Sequence, residues 1–292
     1  MIEELNKICK IIQNADLTTY NTYRLNSFCD VFVSVNNIEE LKSVINVLKK
    51  YKSKWFIIGN GSNIILPSYY DGVIIKLDGF NDIKIYEDKV YVESCYMINK
   101  LALTLINKGY KGLEWASGIP GTVGGSIYGN AGCYGSSISE VLINATIYDG
   151  ENIIKLTNEE LNFKYRYSLL KENKNYIILS CEFKIEKSNI EELKEIVFDR
   201  TKKRIETQDL SHPSCGSVFR NPEGTSSWKL IDGVGLKGYN INGAMVSNKH
   251  ANFIINNGNA TGKDIIELIK LIKEEVKKKY NIDLVLEQEI IK

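Results

Sequence analysis

Seven of the 22 glycines in this chain of 292 residues fall within one segment, Gly118 to Gly135. Glycine loses more conformational entropy on folding than any other residue, so such clusters mark backbone that takes positive φ or approaches another group closely. The exposed peptide N–H groups of such segments form concave sites for anions. The segment therefore predicts either a strained crossing of chain segments or a cradle for a bound phosphate.

A second glycine-rich element lies earlier in the chain, at Gly59-Asn60-Gly61-Ser62-Asn63 between two short apolar runs. This order predicts a strand, a tight polar turn and a second strand. Two elements of this kind together favour one extended dinucleotide as the ligand. The turn is not a Rossmann fingerprint, because Ile64 stands where the third glycine belongs and no helical pattern follows. Gly262-Lys263 is not a phosphate-binding P-loop, because Asp264 follows it.

Hydrophobic periodicity predicts a mixed α+β fold with much antiparallel sheet. Helical spacing behind the cap Asn37 predicts a helix over 38–51, and the pair Thr261 and Asp264 predicts a capping box for a helix over 264–279. Ser188 is expected to open a further helix by the same motif, and residues 208–243 read as a loop-rich segment. Hairpins are expected around residues 87–89 and 149–150, and strands at 31–35, 54–58 and 176–186.

Composition excludes several classes of protein. Hydrophobic residues at 43%, charged residues at 25% and only 4 prolines are typical of a globular protein. The formal charge of +1 gives no basic field for nucleic acid or an anionic membrane, and no apolar run is long enough to cross a bilayer. The six cysteines form no CxxC pair, so we expect no metal site and reduced thiols in a cytoplasmic protein.

A set of motifs runs in order along nearly the whole chain: NTYRL (21–25), GNGSNIIL (59–66), GLEWASGIPGTVGGSIYGNAGCYG (112–135), FKYRYS (163–168), SCGSVFRNPEG (214–224), GLKG (235–238), MVSNKHANFI (245–254) and LEQEI (286–290). This set resembles one known family, the UDP-N-acetylenolpyruvoylglucosamine reductases, also called the MurB family. The interval from Arg166 to Ser217 is short for the subclass with an inserted tyrosine loop. The resemblance therefore implies the loop-less (type II) subclass.

The resemblance implies a two-lobed FAD-binding domain of the vanillyl-alcohol-oxidase (PCMH) type over 1–190, with lobes of roughly 1–67 and 68–190. It implies a smaller α+β substrate-binding domain over 191–292, whose extreme C-terminus returns to the active site. The implied reaction is the reduction of a UDP-sugar enolpyruvyl ether by NADPH through non-covalent FAD, in peptidoglycan precursor synthesis. The enzyme is expected to act as a monomer.

The same resemblance implies the residues of the site. FAD is expected to contact both glycine-rich elements through Gly59, Asn60, Gly61, Ser62, Asn63, Gly118, Ile119, Gly121, Thr122, Gly124, Gly125 and Asn130. The UDP-sugar is expected to contact Tyr165, Arg204, Asn221, Lys249 and His250. The catalytic set is Arg166, Ser217 and Glu289, with Glu287 as the alternative acid because the sequence alone leaves the register of the C-terminal segment open.

Reduction of an enolpyruvyl ether requires three kinds of group: a flavin N5 that delivers hydride, a cation or acid that faces the carboxylate, and a proton donor on the side opposite to the flavin. Hydride added to the terminal carbon leaves negative charge beside the carboxylate, so a cation must face that carboxylate and a donor must protonate the α-carbon. Arg166, one of only 5 arginines beside 32 lysines, has a planar fork that grips a carboxylate bidentately. Ser217 matches the proton donor, and Glu289 matches the acid that works with the arginine.

Two alternatives remain open on the sequence. Another FAD-dependent oxidoreductase of the same fold would be reoxidised by oxygen or a quinone, and Cys133 leaves covalent flavin attachment possible. A non-catalytic nucleotide-sugar binder would be colourless when purified.

Overall fold

A computed structural model describes residues 1–292, which form eight α-helices, three short 3-10 helices and 19 strands. The α-helices are α1 (Ile2–Asn6), α2 (Ile38–Tyr51), α3 (Ile98–Asn107), α4 (Val123–Tyr128), α5 (Ile138–Val141), α6 (Ile190–Thr207), α7 (Ser227–Gly233) and α8 (Gly262–Tyr280). The 3-10 helices are Thr18–Tyr20, Glu114–Gly118 and Leu169–Lys171. The strands are β1 (Lys10–Asp16), β2 (Phe28–Ser34), β3 (Trp55–Ile57), β4 (Ile64–Ile65), β5 (Tyr69–Lys76), β6 (Ile83–Ile85), β7 (Lys89–Glu93), β8 (Tyr110–Lys111), β9 (Gly132–Cys133), β10 (Ser136–Ser137), β11 (Leu142–Tyr148), β12 (Ile153–Thr157), β13 (Ile177–Lys184), β14 (Glu186–Lys187), β15 (Ser214–Ser217), β16 (Asn240–Ile241), β17 (Ala244–Val246), β18 (Phe253–Asn256) and β19 (Glu289–Ile290).

Local signals place the helix ends where they were predicted. The Asn37 side chain accepts the Glu40 N–H at the start of α2, and Thr261 and Asp264 form both bonds of a capping box at the start of α8. The start of α6 differs from the prediction: Asn189, and not Ser188, accepts the first N–H groups of the helix. Asparagine caps a helix as well as serine does, so the motif was read one residue too early.

The chain folds into two compact units. The first comprises residues 1–12, 31–60 and 72–201, and the second comprises residues 13–30, 61–71 and 202–292. Both units are therefore built from several chain segments. The predicted ligand-binding domains, 1–190 and 191–292, are continuous ranges and stay a prediction.

The first unit has two hydrophobic cores. One packs α3 and the buried faces of the antiparallel sheet β12-β11-β13-β7-β6, with Trp115 among its fully buried side chains. The other buries the apolar face of α2 against side chains such as Val33 and Val73 of the sheet β1-β2-β5-β3. In that sheet β3 pairs in parallel with β5, so β3 ends beside Ile75, just before the first glycine-rich turn.

The second unit is a smaller α+β structure. Its antiparallel sheet has the order β15-β18-β17-β16, and α8 buries Ile265, Leu268 and Ile272 in the core. The segment 208–243, predicted to be loop-rich, contains β15 and the helix α7. Helix α7 is only seven residues long, too short for helical periodicity to reveal it.

None of the eight helices combines the length and apolar character that crossing a membrane requires.

Candidate active site

The two glycine-rich elements meet inside the first unit. The Asn60 side chain donates a hydrogen bond of 2.6 Å to the carbonyl of Pro120. A methyl group at Gly59 would stand 2.6 Å from the hydroxyl oxygen of Thr122. The absence of a side chain at Gly59 therefore lets the turn lie directly against the segment that begins at Gly118.

Several amides of the second element are already used inside the protein. The N–H groups of Val123 and Gly124 donate to the carbonyls of Tyr96 and Ser94, each at 2.8 Å. The Gly125 N–H donates to Thr122 Oγ1, which caps α4. These three amides therefore have partners within the protein, and contact of Gly124 and Gly125 with FAD stays a prediction.

A cleft of about 220 Å³ opens beside this junction in the first unit. Gly59, Asn60 and Thr122 line it together with polar and charged side chains that the sequence did not single out: Lys76, Asp78, Asn81 and Lys100. Lys76 and Asp78 form an ion pair of 3.1 Å. Parts of both glycine-rich elements and two lysines line this cleft, and the lysines suit the negative charge of a dinucleotide such as FAD, so the residues present fit that cofactor.

The remainder of the first turn belongs to the second unit. Gly61 has a φ of 61°, and a Cβ there would collide with the carbonyl of Tyr20. The Thr22 N–H donates 3.1 Å to the Gly61 carbonyl, so the NTYRL segment packs directly under the turn. Glycine is required here by both the backbone conformation and the close contact.

Arg166 lies at the tip of a tight turn in the first unit. The backbones of Lys164 and Tyr167 exchange two hydrogen bonds, of 3.1 and 3.0 Å. Arg166 takes the position that needs positive φ, with a φ of 57°, where glycine or asparagine is usual. Such a conformation costs free energy and is typical of functional positions.

The glycine-rich segment holds the Arg166 guanidinium. One guanidinium nitrogen donates a hydrogen bond of 2.8 Å to the Gly132 carbonyl, and the other terminal nitrogen lies 3.5 Å from the Asn130 carbonyl. The buried Asn130 side chain donates 3.0 Å to the Lys164 carbonyl, which ties the same turn to the segment. The exposed ring of Tyr165 has its centroid 5.2 Å from the guanidinium carbon. Carbonyl partners orient the cation without cancelling its charge.

Ser217 ends β15 in the second unit, next to an irregularity in the pairing. Ser214 faces Ile255 and Ser217 faces Phe253, so three steps along β15 match two steps along β18. The additional residue makes a β-bulge, in which Gly216 has a φ of 70°. Bulges bend a strand and redirect the side chains beside them, and the half-buried Ser217 directly follows Gly216.

The C-terminal strand runs to the same region of the second unit. Glu289 pairs in parallel with Ile64, and its N–H donates 2.9 Å to the carbonyl of Asn63. The Glu287 N–H donates 2.8 Å to the carbonyl of Val218, the residue after Ser217. The segment that carries both candidate acids is thus bonded to the glycine turn and to the strand of the candidate proton donor.

The thiol of Cys215 is fully enclosed beside Ser217. It lies 3.1 Å from the Thr22 hydroxyl and 3.4 Å from the Gly61 carbonyl. Burial raises the pKa of this thiol to about 12, so it stays protonated at neutral pH. A neutral, buried thiol packs and donates weakly, and it is not a nucleophile.

The predicted substrate residues of the second unit lie at three places. Arg204 is half-buried on α6, and Asn221 accepts the Ser227 N–H at the start of α7. The Lys249 ammonium donates to the Ile205 carbonyl. His250 packs on Phe253 at 4.7 Å, and its Nδ1 accepts the Asn252 N–H. Burial lowers the pKa of His250, so the ring is neutral at pH 7 and donates from Nε2.

Comparison with known proteins adds a second line of evidence. Residues 208–291 match the family model of the UDP-N-acetylenolpyruvoylglucosamine reductase C-terminal domain, and residues 29–154 match the FAD binding domain. The UDP-N-acetylenolpyruvoylglucosamine reductase of Bacillus subtilis is 38% identical over 100% of this chain and 98% of its own length. That of Clostridium novyi is 38% identical over 97% of this chain and 92% of its own.

The chain belongs to the UDP-N-acetylenolpyruvoylglucosamine reductase family.

Solved structures agree with this membership. The family's enzyme from Thermus caldophilus superimposes with a TM-score of 0.82 at 28% identity, over 97% of this chain and 99% of that chain. A BBE-like protein of Physcomitrella patens matches with a TM-score of 0.50 at 14% identity, over 64% of this chain and 44% of that chain. The second match concerns the fold alone. The predicted fold class, an α+β FAD-binding domain of the PCMH type with a smaller second domain, is confirmed.

Sequence reasoning missed several residues that line the cleft or pack beside the candidate site. Lys76, Asp78, Asn81 and Lys100 lie outside every motif, and only the fold brings them to the cleft. Gln288 lies inside LEQEI between the two candidate acids, yet it is 3% exposed, and its side-chain amide is hydrogen-bonded to the Tyr23 hydroxyl and the Cys215 carbonyl. An alternating strand pattern would have placed Gln288 on the face opposite both glutamates, which was an available signal.

Proposed function

We propose that this protein reduces UDP-N-acetylglucosamine enolpyruvate to UDP-N-acetylmuramate in peptidoglycan precursor synthesis, using FAD and NADPH. The observation that carries the proposal is the full-length match to reductases of this name, combined with the hydrogen-bonded contact between the two glycine-rich elements. When bound, FAD supplies the hydride that NADPH provides and that the vinyl carbon of the substrate receives.

Arg166 is proposed to hold the substrate carboxylate and to stabilise the enolate. Negative charge develops on the carboxylate and α-carbon as hydride arrives, so a fixed guanidinium lowers the barrier more than it stabilises the ground state. The Gly132 and Asn130 carbonyls support this role, because they orient the planar group before substrate binds. Little reorganisation is then needed during the reaction.

Ser217 is proposed to donate the proton to the α-carbon, on the side opposite to the hydride. A serine hydroxyl is a weak acid, but a carbanion next to an ether and a carboxylate is basic enough to take its proton. Glu289 is proposed to polarise the carboxylate together with Arg166, or to relay the proton. Asn63 of the glycine turn is hydrogen-bonded to the backbones of both Glu289 and Glu287, so Glu287 stays the alternative acid.

The proposed cofactor contacts are the predicted residues of both glycine-rich elements, extended by the polar side chains of the cleft. Lys76 and Lys100 add positive charge there, and Asp78 and Asn81 add acceptors suited to ribose hydroxyls. For the UDP-sugar, the half-buried Arg204 is proposed to bind the diphosphate. The neutral Nε2–H of His250, with Tyr165, Asn221 and Lys249, is proposed to contact the sugar or uracil.

An absorbance experiment tests the function. The purified protein is expected to show flavin bands, to be bleached by NADPH without oxygen, and to regain colour when the UDP-enolpyruvyl sugar is added. A colourless protein that binds the sugar would favour a non-catalytic binder. Recovery of colour with oxygen alone, and indifference to the sugar, would favour another oxidoreductase of this fold.

Three finer features are proposals as well. The segment between Arg166 and Ser217 forms one 3-10 helix, β13, β14, α6 and β15, which supports the loop-less subclass. A monomeric state is tested by the mass of the FAD-loaded protein in solution. A cytoplasmic location is tested by fractionation of the source cells.

A further inference from the structure

We propose that Gln288 and Tyr23 are positioning residues that hold Ser217 and Glu289 in one rigid frame. The inference rests on the proposed function, since it concerns the donor and the acid of that reaction. Neither residue is expected to touch substrate or cofactor. Both act through the backbone of the β15 bulge and of the C-terminal strand.

The side-chain N–H groups of Gln288 face backbone carbonyls of the β15 bulge. Its Nε2 donates to the carbonyl of Cys215 at 3.2 Å and lies 3.4 Å from the carbonyl of Gly216. These are the two residues immediately before Ser217, and the extra residue of the bulge lies among them. One side chain therefore contacts both carbonyls. We expect a substitution at position 288 to shift the backbone that positions the Ser217 hydroxyl.

Tyr23 fixes the orientation of the Gln288 amide. The Tyr23 hydroxyl donates 2.9 Å to Gln288 Oε1, and the Tyr23 side chain is fully buried. If the amide were reversed, Oε1 would face two carbonyl oxygens, which are acceptors only. Desolvation raises the pKa of Tyr23 well above its ordinary value, so the hydroxyl remains a donor at every working pH.

The same residue is part of the strand that carries Glu289. The N–H groups on either side of Gln288 are bonded, from Glu287 to the Val218 carbonyl and from Glu289 to the Asn63 carbonyl. The amide of Gln288 therefore joins three segments in the second unit: the bulge before Ser217, the strand of Glu289 and the NTYRL loop. In enzymes a displacement of about 1 Å at a reacting group can reduce the rate about 100-fold.

The direct test separates the two half-reactions in Gln288→Leu. We expect NADPH to bleach the flavin at a rate within about twofold of the wild type. We expect reoxidation by the UDP-enolpyruvyl sugar, followed by anaerobic stopped flow, to slow at least about tenfold. Tyr23→Phe keeps the Nε2 bonds and removes only the O–H donor, so a smaller decrease of about threefold is expected in the same half-reaction.

Gln288→Glu tests positioning through the pH dependence of flavin reoxidation, which a purely structural role would not change. A protonated carboxyl at this position can donate to one bulge carbonyl and accept from Tyr23, whereas a carboxylate would face carbonyl oxygens. Tyr23 and Cys215, which face it, are neutral, and the acids on its own strand are Glu287 and Glu289. Reoxidation is therefore expected to fall as pH rises through the pKa of the new carboxyl, a step absent from the wild type.

Asn144→Ala serves as the matched control. Asn144 is a buried amide of the first unit that donates to Glu182, so its loss destabilises the fold without touching the bulge. The inference is overturned if Gln288→Leu reoxidises within twofold of the wild type, loses FAD, slows both half-reactions equally, or matches Asn144→Ala. If Gln288→Leu does not fold, a Gln288→Glu with wild-type rates and no new pH step overturns it.

The proposed function has a separate point of failure. A wild type that NADPH bleaches but the UDP-enolpyruvyl sugar does not reoxidise refutes that function and this inference with it. A wild type that completes the cycle beside an unaffected Gln288→Leu refutes only the inference.

Discussion

Gly59→Ala tests whether the two glycine-rich elements must touch to bind FAD. The new methyl group would stand 2.6 Å from Thr122 Oγ1, where ordinary contact begins at 3.4 Å. The two segments must therefore separate by about 0.8 Å, the difference between those distances. Gly59 does not have the positive φ of Gly61, so alanine tests this contact rather than backbone strain.

The size of the effect follows from how Thr122 is held. Its hydroxyl caps α4 by accepting the Gly125 N–H, so it cannot rotate away without losing a cap worth about 1 kcal/mol. Overpacking of this kind costs about 1–3 kcal/mol. Because the strain falls at the junction that FAD is proposed to occupy, we expect the Kd of the apoprotein for FAD to rise about 10- to 100-fold.

A double-mutant cycle assigns the effect to one atom. Thr122→Ala removes the hydroxyl that the new methyl meets, so the FAD affinities of Gly59→Ala and Thr122→Ala should be non-additive by about 1 kcal/mol or more. Thr122→Ser keeps the hydroxyl and is the matched control, which should rescue nothing. FAD binding is measured by quenching of flavin fluorescence. Additivity within about 0.5 kcal/mol, or rescue by serine, would refute the reasoning.

Three further predictions concern single side chains. Arg166→Lys replaces a planar fork with a point charge, so reoxidation of the flavin by the UDP-enolpyruvyl sugar should fall about 100-fold in stopped flow, with NADPH reduction little changed. Ser217→Ala should stay yellow and reducible, while reoxidation falls by several orders of magnitude. Hydrogen bonds from Asn144 and Lys89 lower the pKa of Glu182 from 4.5 to about 2, so this carboxylate stabilises the fold above pH 4.5 and loses that effect as pH falls towards 2. Because its lysine partners are partly exposed, we expect Glu182→Gln to lower the free energy of unfolding at pH 7 by about 1–2 kcal/mol and to flatten its acid dependence in urea titrations.

Each of these predictions has an outcome that contradicts it. For Arg166, an equal loss in both half-reactions would indicate a general disturbance of the glycine segment. For Ser217, unchanged reoxidation would remove the hydroxyl from the reaction. For Glu182, the free energies of unfolding of Glu182→Gln and the wild type could fall in parallel between pH 4.5 and pH 2. That result would show that the Glu182 carboxylate does not cause the acid dependence.

Elements whose signals are local were predictable from the sequence. The Asn37 cap, the Thr261–Asp264 capping box and the hairpins depend on residues within a few positions of each other, and all are present. The short helices α4 and α7 were not foreseen, because six or seven residues give too little periodicity and α4 begins among glycines that disfavour helix. Packing with the rest of the unit outweighs that preference.

The candidate site shows the same difference between local motifs and long-range contacts. Motif matches named Arg166, Ser217 and Glu289, and glycine density marked both elements that meet at Asn60 and Pro120. The residues that hold them are distant in sequence: Asn130 supports the Arg166 turn across 34 positions, and Tyr23 reaches Gln288 across 265. Contacts of that separation have no local signature.

The sequence by itself determined the family and the cofactor class and named the candidate reacting groups, because glycine, arginine and serine in these motifs carry their chemistry wherever the chain places them. Only the tertiary structure decided which amides of the glycine-rich segment are bonded within the protein, where the C-terminal strand pairs, and which buried side chain bonds the backbone before Ser217. The physical reason is that a hydrogen bond depends on distance and direction in space. Those quantities are set by packing of segments that the order of residues along the chain leaves far apart.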